Sequence, residues 1–207
     1  KSVNKIPVIC RKDVPGFIVN RLFIPLVHEA CYVMERQKIQ QTELDSAVKF
    51  RLGFPMGIFE LADFTGLDVI HKATVEMHTR DKKVILPHPT IEQLFNEKKL
   101  GQKSGEGFYK YSDDKYERIP LSEELAQKCD PVQIIANILN NAAWLVTNNA
   151  SDIDEIEKAA NLGLGLKKPL FDTAKEIGMQ KIVEELKKLS NKHGAFYEPD
   201  PLLLSMC

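Results

Sequence analysis

From Pro15 to Glu35, apolar residues recur at Val19, Leu22, Phe23, Leu26, Val27, Ala30, Val33 and Met34. This i, i+3, i+4, i+7 spacing lays one apolar stripe along an α-helix. Asp13 and Pro15 stand where a cap and a first-turn proline belong, so the pattern predicts a helix opening at Pro15. A second helix is expected from Thr42, carrying Leu44, Ala47 and Val48 and stopping near Gly53. A third opens at Pro55 and Met56 and runs through Phe59, Leu61 and Ala62 toward Gly66. A fourth covers about Asp68 to Thr79. Pro87 and Pro89 break the period, and Thr90 with Gln93 then forms the S/T-x-x-E/Q pattern of a capping box for a short helix ending near Lys99. Gly101 to Gly107 should turn, and the aromatic alternation of Phe108 to Tyr111 predicts a short extended segment near 107–111.

Residues 112–129 are polar and lack a sustained period, which predicts a linker. Beyond Asp130 and Pro131, helical patterns return at about 131–149, 152–161, 168–176 and 178–192. They repeat the earlier ones. A shift of 112 residues lays Glu43–Gly53 on Glu155–Gly165, Phe59 on Phe171, Ala62 on Ala174, Gly66 on Gly178, Ile70 on Ile182 and Tyr32 on Trp144. Apolar register and turn glycines stay in phase together, so two copies of one helical unit are the simplest account. Two copies are too few for a solenoid. The expected fold class is therefore all-α, two tandem related helical domains at 1–111 and 130–207, paired about a pseudo-twofold axis as two subunits would be.

The 207 residues are 43% apolar and 28% charged, with 28 basic against 29 acidic side chains. That composition excludes a disordered chain, and the near-zero balance removes the overall field that nucleic-acid binders use to gather phosphates. No apolar run is long enough for a membrane span. Cys10, Cys31, Cys129 and Cys207 lie far apart with no Cys-x-x-Cys and read as reduced thiols, which suggests a cytoplasmic setting. The chain starts at Lys1 with neither a secretory signal nor an initiator Met, and so reads as either processed or cut from something longer.

Chemistry is sparse. The nearest approach to a dinucleotide fingerprint, Gly163-Leu-Gly165, follows a helix instead of a strand and reads as a helix terminator. Gly101-Gln-Lys-Ser lacks the order of a P-loop. His28-Glu29 begins like a zinc motif, but Tyr32 stands where the second ligand should be. His71 and His78 lie two turns apart with no third ligand, so no metal site is expected. Asn20 is the more informative residue. It falls in line with Phe23 and Val27 at i+3 and i+7, so its amide should border the apolar face, with two donors and an acceptor for something to use.

Four motifs together closely resemble the C-terminal helical region of 3-hydroxyacyl-CoA dehydrogenases: Pro15-Gly-Phe-Ile-Val-Asn-Arg21, Gly53-Phe-Pro-Met-Gly57 with Phe59-Glu-Leu61, Gly66-Leu-Asp68, and Lys103-Ser-Gly-Glu-Gly-Phe-Tyr-Lys-Tyr111. The first copy carries all four. The second resembles the degenerate extra copy of the larger multifunctional members of fatty-acid β-oxidation. The resemblance implies a fold of the 6-phosphogluconate-dehydrogenase C-terminal type. It also implies NAD as the parent enzyme's cofactor, bound by an N-terminal Rossmann domain of the same parent chain and by nothing in these residues. 3-Hydroxyacyl-CoA is the implied substrate, and a homodimer is a further expected partner.

Carried over by motif, Asn20 is the residue that hydrogen-bonds substrate oxygen in the cleft between the two domains, orienting and polarising it. Pro55 and Leu61 correspond to residues near the acyl pocket, although a helix start and core packing explain them equally well. At the equivalent of Asn20 the second copy has Val132. The Lys103–Tyr111 motif reads either as a phosphate-facing glycine loop or as a turn that closes the helical unit. A fragment supplying one wall of an active site should be inactive alone. Two readings stand beside this one: a non-catalytic helical assembly module derived from a dehydrogenase, and a helical domain from a hydroxyacid or sugar-acid dehydrogenase.

Overall fold

The computed structural model describes residues 5–111 and 120–207. The first half contains α1 (Val19–Gln37), α2 (Gln41–Arg51), α3 (Ile58–Thr65), α4 (Leu67–Arg80) and α5 (Pro89–Asn96). The second contains α7 (Val132–Thr147), α8 (Ile153–Leu164), α9 (Leu170–Ile177), α10 (Met179–His193) and α11 (Pro201–Ser205), with the short α6 (Glu123–Ala126) between them. Helices α8 to α11 each begin 112 residues after α2 to α5, and α7 begins 113 after α1. The all-α expectation holds: no strand occurs among the described residues. Helices α1 and α7 pack against each other at the centre, and one continuous apolar core runs through both halves.

The apolar stripe of α1 is buried as its spacing requires, with Leu22, Leu26, Val27, Ala30 and Val33 fully enclosed. The helix nevertheless begins at Val19, four residues later than Pro15 suggested. Gly16 at φ +81° and Phe17 at φ +49° reverse the chain just before it, and a turn joins the Phe17 N–H to the Val14 carbonyl at 3.0 Å. Two residues in the left-handed region cannot continue a right-handed helix.

Local contacts recur at the same displacement. The Asp45 carboxylate accepts the Phe59 N–H at the start of α3, and the Glu157 carboxylate accepts the Phe171 N–H at the start of α9, both at 2.9 Å. His28 Nδ1 accepts the His88 N–H at 3.1 Å, and Asn140 Oδ1 accepts the Asp200 N–H at 2.8 Å. His88 and Asp200 in turn cap α5 and α11, each followed by a proline. Here the sequence expectation fails in detail, because the cap of α5 is His88 and not Thr90. Pro89 has its φ already set for the first helical position, which leaves His88 outside the helix with its ring nitrogen accepting the Thr90 N–H.

Two further expectations change. In place of a regular extended strand at 107–111, residues 101–110 carry two isolated antiparallel bridges, Gly101 to Glu106 and Glu106 to Lys110. The Phe108 and Tyr109 N–H groups are taken by the Asp63 carboxylate at 3.0 and 2.9 Å, so they cannot serve a ladder. Of the expected linker, 112–119 lies outside the described residues. The rest holds α6 and runs along α2: the Ser122 N–H reaches Ser46 Oγ, Arg51 donates to the Cys129 carbonyl, and Lys128 pairs with Glu43.

Candidate functional site

Asn20 is the second residue of α1 and is exposed. It makes no hydrogen bond to any described residue. Its neighbours Phe23 and Val27 turn inward, so the amide sits at the rim of the apolar stripe, where Cβ directions along a helix place it. With Val8, Cys10, Gly16, Phe17, Ile18 and Val19 it lines a shallow, mainly apolar cavity of about 280 Å³. Gly16 makes the turn beside it feasible, because a Cβ there would stand 2.8 Å from Met77 Cε and 2.9 Å from the Arg21 nitrogen. Phe17 has no such freedom. It holds a left-handed backbone while leaving its ring 56% exposed, a combination that costs free energy with no packing in return.

The next residue points the other way. Arg21 is only 4% exposed, pairs with Asp81 at 3.1 Å and lies 3.8 Å above the Trp144 ring of the second half. Burial pushes its pKa down, opposed by Asp81. The Asn-Arg pair thus divides labour: the amide faces out, and the guanidinium joins the halves. A second buried link lies further along α1. Arg36 donates to Glu29 at 2.7 Å, to Gln133 at 2.7 Å and to the Tyr197 hydroxyl at 2.9 Å, while that hydroxyl donates to Glu29 at 2.5 Å. Burial raises the Glu29 pKa, and Arg36 and Tyr197 oppose that.

Pro55 is exposed in the turn before α3, and its ring abuts Gly165 at the end of α8. Leu61 is half-buried on α3 against the core. Neither lines the cavity at Asn20. Val19, next to Asn20 in the chain, abuts Gly163, and Pro55 abuts Gly165. A larger cavity, about 340 Å³, lies elsewhere, between Arg21 and Lys83 of the first half and Asn140, Trp144 and Asp200 of the second.

The histidines are occupied structurally. His28 Nδ1 accepts a backbone N–H, so Nε2 carries the proton and donates to Thr74 at 2.7 Å; burial drives its pKa down to about 3. His71 meets Glu92, and His78 meets the Val84 carbonyl. No group of three or more potential metal ligands occurs among the described residues. Nor do the residues present fit a dinucleotide. Gly163-Leu-Gly165 closes the C-terminal end of α8, with Gly165 at φ +71° as its cap, so carbonyl dipoles instead of N–H groups face that turn.

The Lys103–Tyr111 motif closes the helical unit. Asp63 accepts the Phe108 and Tyr109 N–H groups and the Tyr111 hydroxyl, and Asp45 accepts the Tyr109 hydroxyl at 2.8 Å. Gly101 and Gly107 are required because a Cβ on either would stand within 2.2 Å of an Asp63 oxygen. Lys103, the first residue of the motif, is paired with Asp68. Burial pushes Asp45 up to about 7, while the three donors it accepts pull it back toward the carboxylate.

Sequence reasoning reached Asn20 but missed the ionic links of Arg21 and Arg36. Their only signal was an arginine placed beside an apolar helix face, where it must find either solvent or a partner.

Comparison with known proteins gives this geometry a family. The 3-hydroxyacyl-CoA dehydrogenase C-terminal domain matches residues 16–111. Rat mitochondrial hydroxyacyl-coenzyme A dehydrogenase is 45% identical over 113 residues, 54% of this chain and 36% of that protein. The 3-hydroxybutyryl-CoA dehydrogenase of Clostridioides difficile is 36% identical over 114 residues, 54% of this chain and 40% of that protein. The matched stretch thus spans little more than a third of these relatives. In fold, the chain is similar over 98% of its length to 3-hydroxybutyryl-CoA dehydrogenase from Escherichia coli K12, with a TM-score of 0.79 at 22% identity and 61% of that chain covered. It is also similar to the dehydrogenase part of multifunctional enzyme 1 from C. elegans, with a TM-score of 0.59 at 18% identity, over 90% of this chain and 47% of that one. The turn that exposes Asn20 and the loop that closes on Asp63 both fall inside residues 16–111, the stretch that matches the C-terminal domain of the 3-hydroxyacyl-CoA dehydrogenases.

Proposed function

We propose that the chain is the C-terminal, acyl-side part of an NAD-dependent (S)-3-hydroxyacyl-CoA dehydrogenase of fatty-acid β-oxidation, which oxidises 3-hydroxyacyl-CoA to 3-ketoacyl-CoA. An N-terminal Rossmann domain of the same parent chain binds NAD and docks against the face around Asn20. The observation that carries this reading is an exposed amide with no described partner, at the rim of an apolar cavity, beside a strained and exposed Phe17. Asn20 donates its amide N–H to a substrate oxygen, which fixes that oxygen and stabilises charge gathering on it. Docking excludes water from the apolar rim, and a hydrogen bond gains strength when water is excluded.

The two halves are tandem copies of one helical unit, divided at 1–111 and 130–207. The 112-residue displacement of the helices and the recurrence of the Asp45 and His28 contacts at Glu157 and Asn140 support this. The seam between α1 and α7 stands in for the interface that two subunits would otherwise form. A cytoplasmic setting belongs to the same proposal.

The test is complementation. The 207 residues alone should not turn over 3-hydroxybutyryl-CoA with NAD. Added to a separately expressed NAD-binding domain of the family, they should restore turnover, and Asn20→Ala should lower its rate about 10²-fold, the scale of removing one oxyanion-hole donor. Turnover by the chain alone, or restored activity indifferent to Asn20→Ala, overturns the reading. A folded mixture with no activity favours a non-catalytic assembly module.

A further inference from the structure

We propose that the cavity between the two halves, beside Arg21 and Trp144, is a binding site for a small zwitterion: a carboxylate and an ammonium group on a short apolar body, the chemistry of a free α-amino acid. The site shares no lining residue with the cavity at Asn20, and the inference does not rest on the reading above.

The cavity of about 340 Å³ has room for a molecule of this size. Charge is divided between its walls. The first half contributes only cations to the lining, Arg21 and Lys83, while both carboxylates, Glu198 and Asp200, come from the second half. Among the described residues neither Lys83 nor Glu198 nor Asp200 belongs to an ion pair, so the two signs line one cavity without meeting across it. The Arg21 side chain is 5% exposed; Asp81 accepts from Nη1, and Nε is enclosed with no acceptor. A buried N–H without an acceptor, beside a cavity, is a group that a bound oxygen satisfies. On the opposite wall Asp200 already accepts the Thr147 hydroxyl and the Leu202 N–H, whereas Glu198 is exposed and is the freer partner for an ammonium group. Trp144, Phe196 and Leu204 complete the lining with surface that suits hydrocarbon. A plain anion would meet two carboxylates and a plain cation two basic groups. A molecule carrying both signs matches both walls.

The pseudo-equivalent position is closed, which makes the open site a property of this cavity and not of the shared helical unit. A shift of 112 residues lays Arg21 on Gln133 and Tyr32 on Trp144. Gln133 accepts from Arg36 and donates to Glu185, both at 2.7 Å, so both ends of its amide are engaged. The Tyr32 ring meets His88 edge-on, with centroids 4.4 Å apart.

Trp144 is the single tryptophan of the chain, so its fluorescence reports occupancy. Norleucine is the probe, and hexanoate and pentylamine are the same skeleton with the ammonium or the carboxylate removed. Titrated into the 207-residue chain, norleucine should change the Trp144 emission saturably, and each single-charge analogue should bind at least about tenfold more weakly, the scale of one charged hydrogen bond. Lys83→Met and Glu198→Gln, at exposed positions outside the core, should each weaken norleucine about tenfold while the thermal unfolding of the free chain stays unchanged. No saturable change up to about 10 mM norleucine, or an affinity indifferent to both variants, overturns the site. Equal affinity for hexanoate or pentylamine overturns the zwitterion. None of these readouts needs turnover, so their failure is distinct from failure of the complementation test.

Discussion

The start of α1 and the start of α7 occupy equivalent places in the two halves and carry opposite chemistry. At the first, Asn20 is exposed after a strained turn; at the second, Val132 is only 6% exposed, behind Asp130, which accepts its N–H at 3.1 Å. The surrounding framework is the same. A carboxylate caps α3 and α9, and an N-capping residue followed by proline opens α5 and α11. The comparison teaches that capping and core positions recur in the second half while the exposed amide at the helix start does not. Such persistence is expected when packing sets the fold and a few exposed groups set the function.

The comparison can be broken at its buried charges, where the largest effect is expected. Arg36→Met leaves Glu29 enclosed and without its cation, which should cost about 3–5 kcal/mol in urea unfolding. At the corresponding position of the second half, Asn148→Ala removes an amide bonded to the Trp144 carbonyl within one helix, and should cost less than about 1 kcal/mol. Equal losses at the two sites would mean that the Arg36 cluster is not the link it is taken to be.

A second effect is expected in the pH dependence of stability, at Asp45. Burial raises the Asp45 pKa from 3.8 to about 7, so the folded state holds a proton there that the unfolded chain has released. The stabilisation is fully present below about pH 4 and is lost as pH rises through about 7. Stability measured relative to Asp45→Asn should fall across that window, by up to about 1.4 kcal/mol per pH unit. A stability difference for Asp45→Asn that stays level from pH 4 to 8 would show that its three donors hold the carboxylate ionised throughout.

Much of this organisation was legible before the fold was known. Among the described residues the apolar period and the breaks in it located the longer helices, apart from α11, and the 112-residue phase anticipated the spacing of their starts, because both depend on local sequence. Asn20 was legible because an amide bordering an apolar stripe is a local anomaly. The start of α1 was not, since Gly16 and Phe17 adopt left-handed backbone, with Gly16 close against Met77, a contact fixed by tertiary packing. His88 was missed as a cap because imidazole is not among the usual capping groups. The Arg36 cluster joins residues up to 168 positions apart, which no window along the chain can register. The closeness of Gly163 to Val19 was hidden for the same reason: glycine near a helix end reads as a terminator, and only the fold adds the approach.

The most direct test of the central claim watches the Asn20 amide itself. In the chain joined with its NAD-binding domain, the side-chain ¹⁵N–¹H signals of Asn20 should shift on addition of acetoacetyl-CoA, while those of Asn140 and Asn141, beside the cavity between the halves, should stay in place. An unmoved Asn20 signal under saturating ligand would contradict the account.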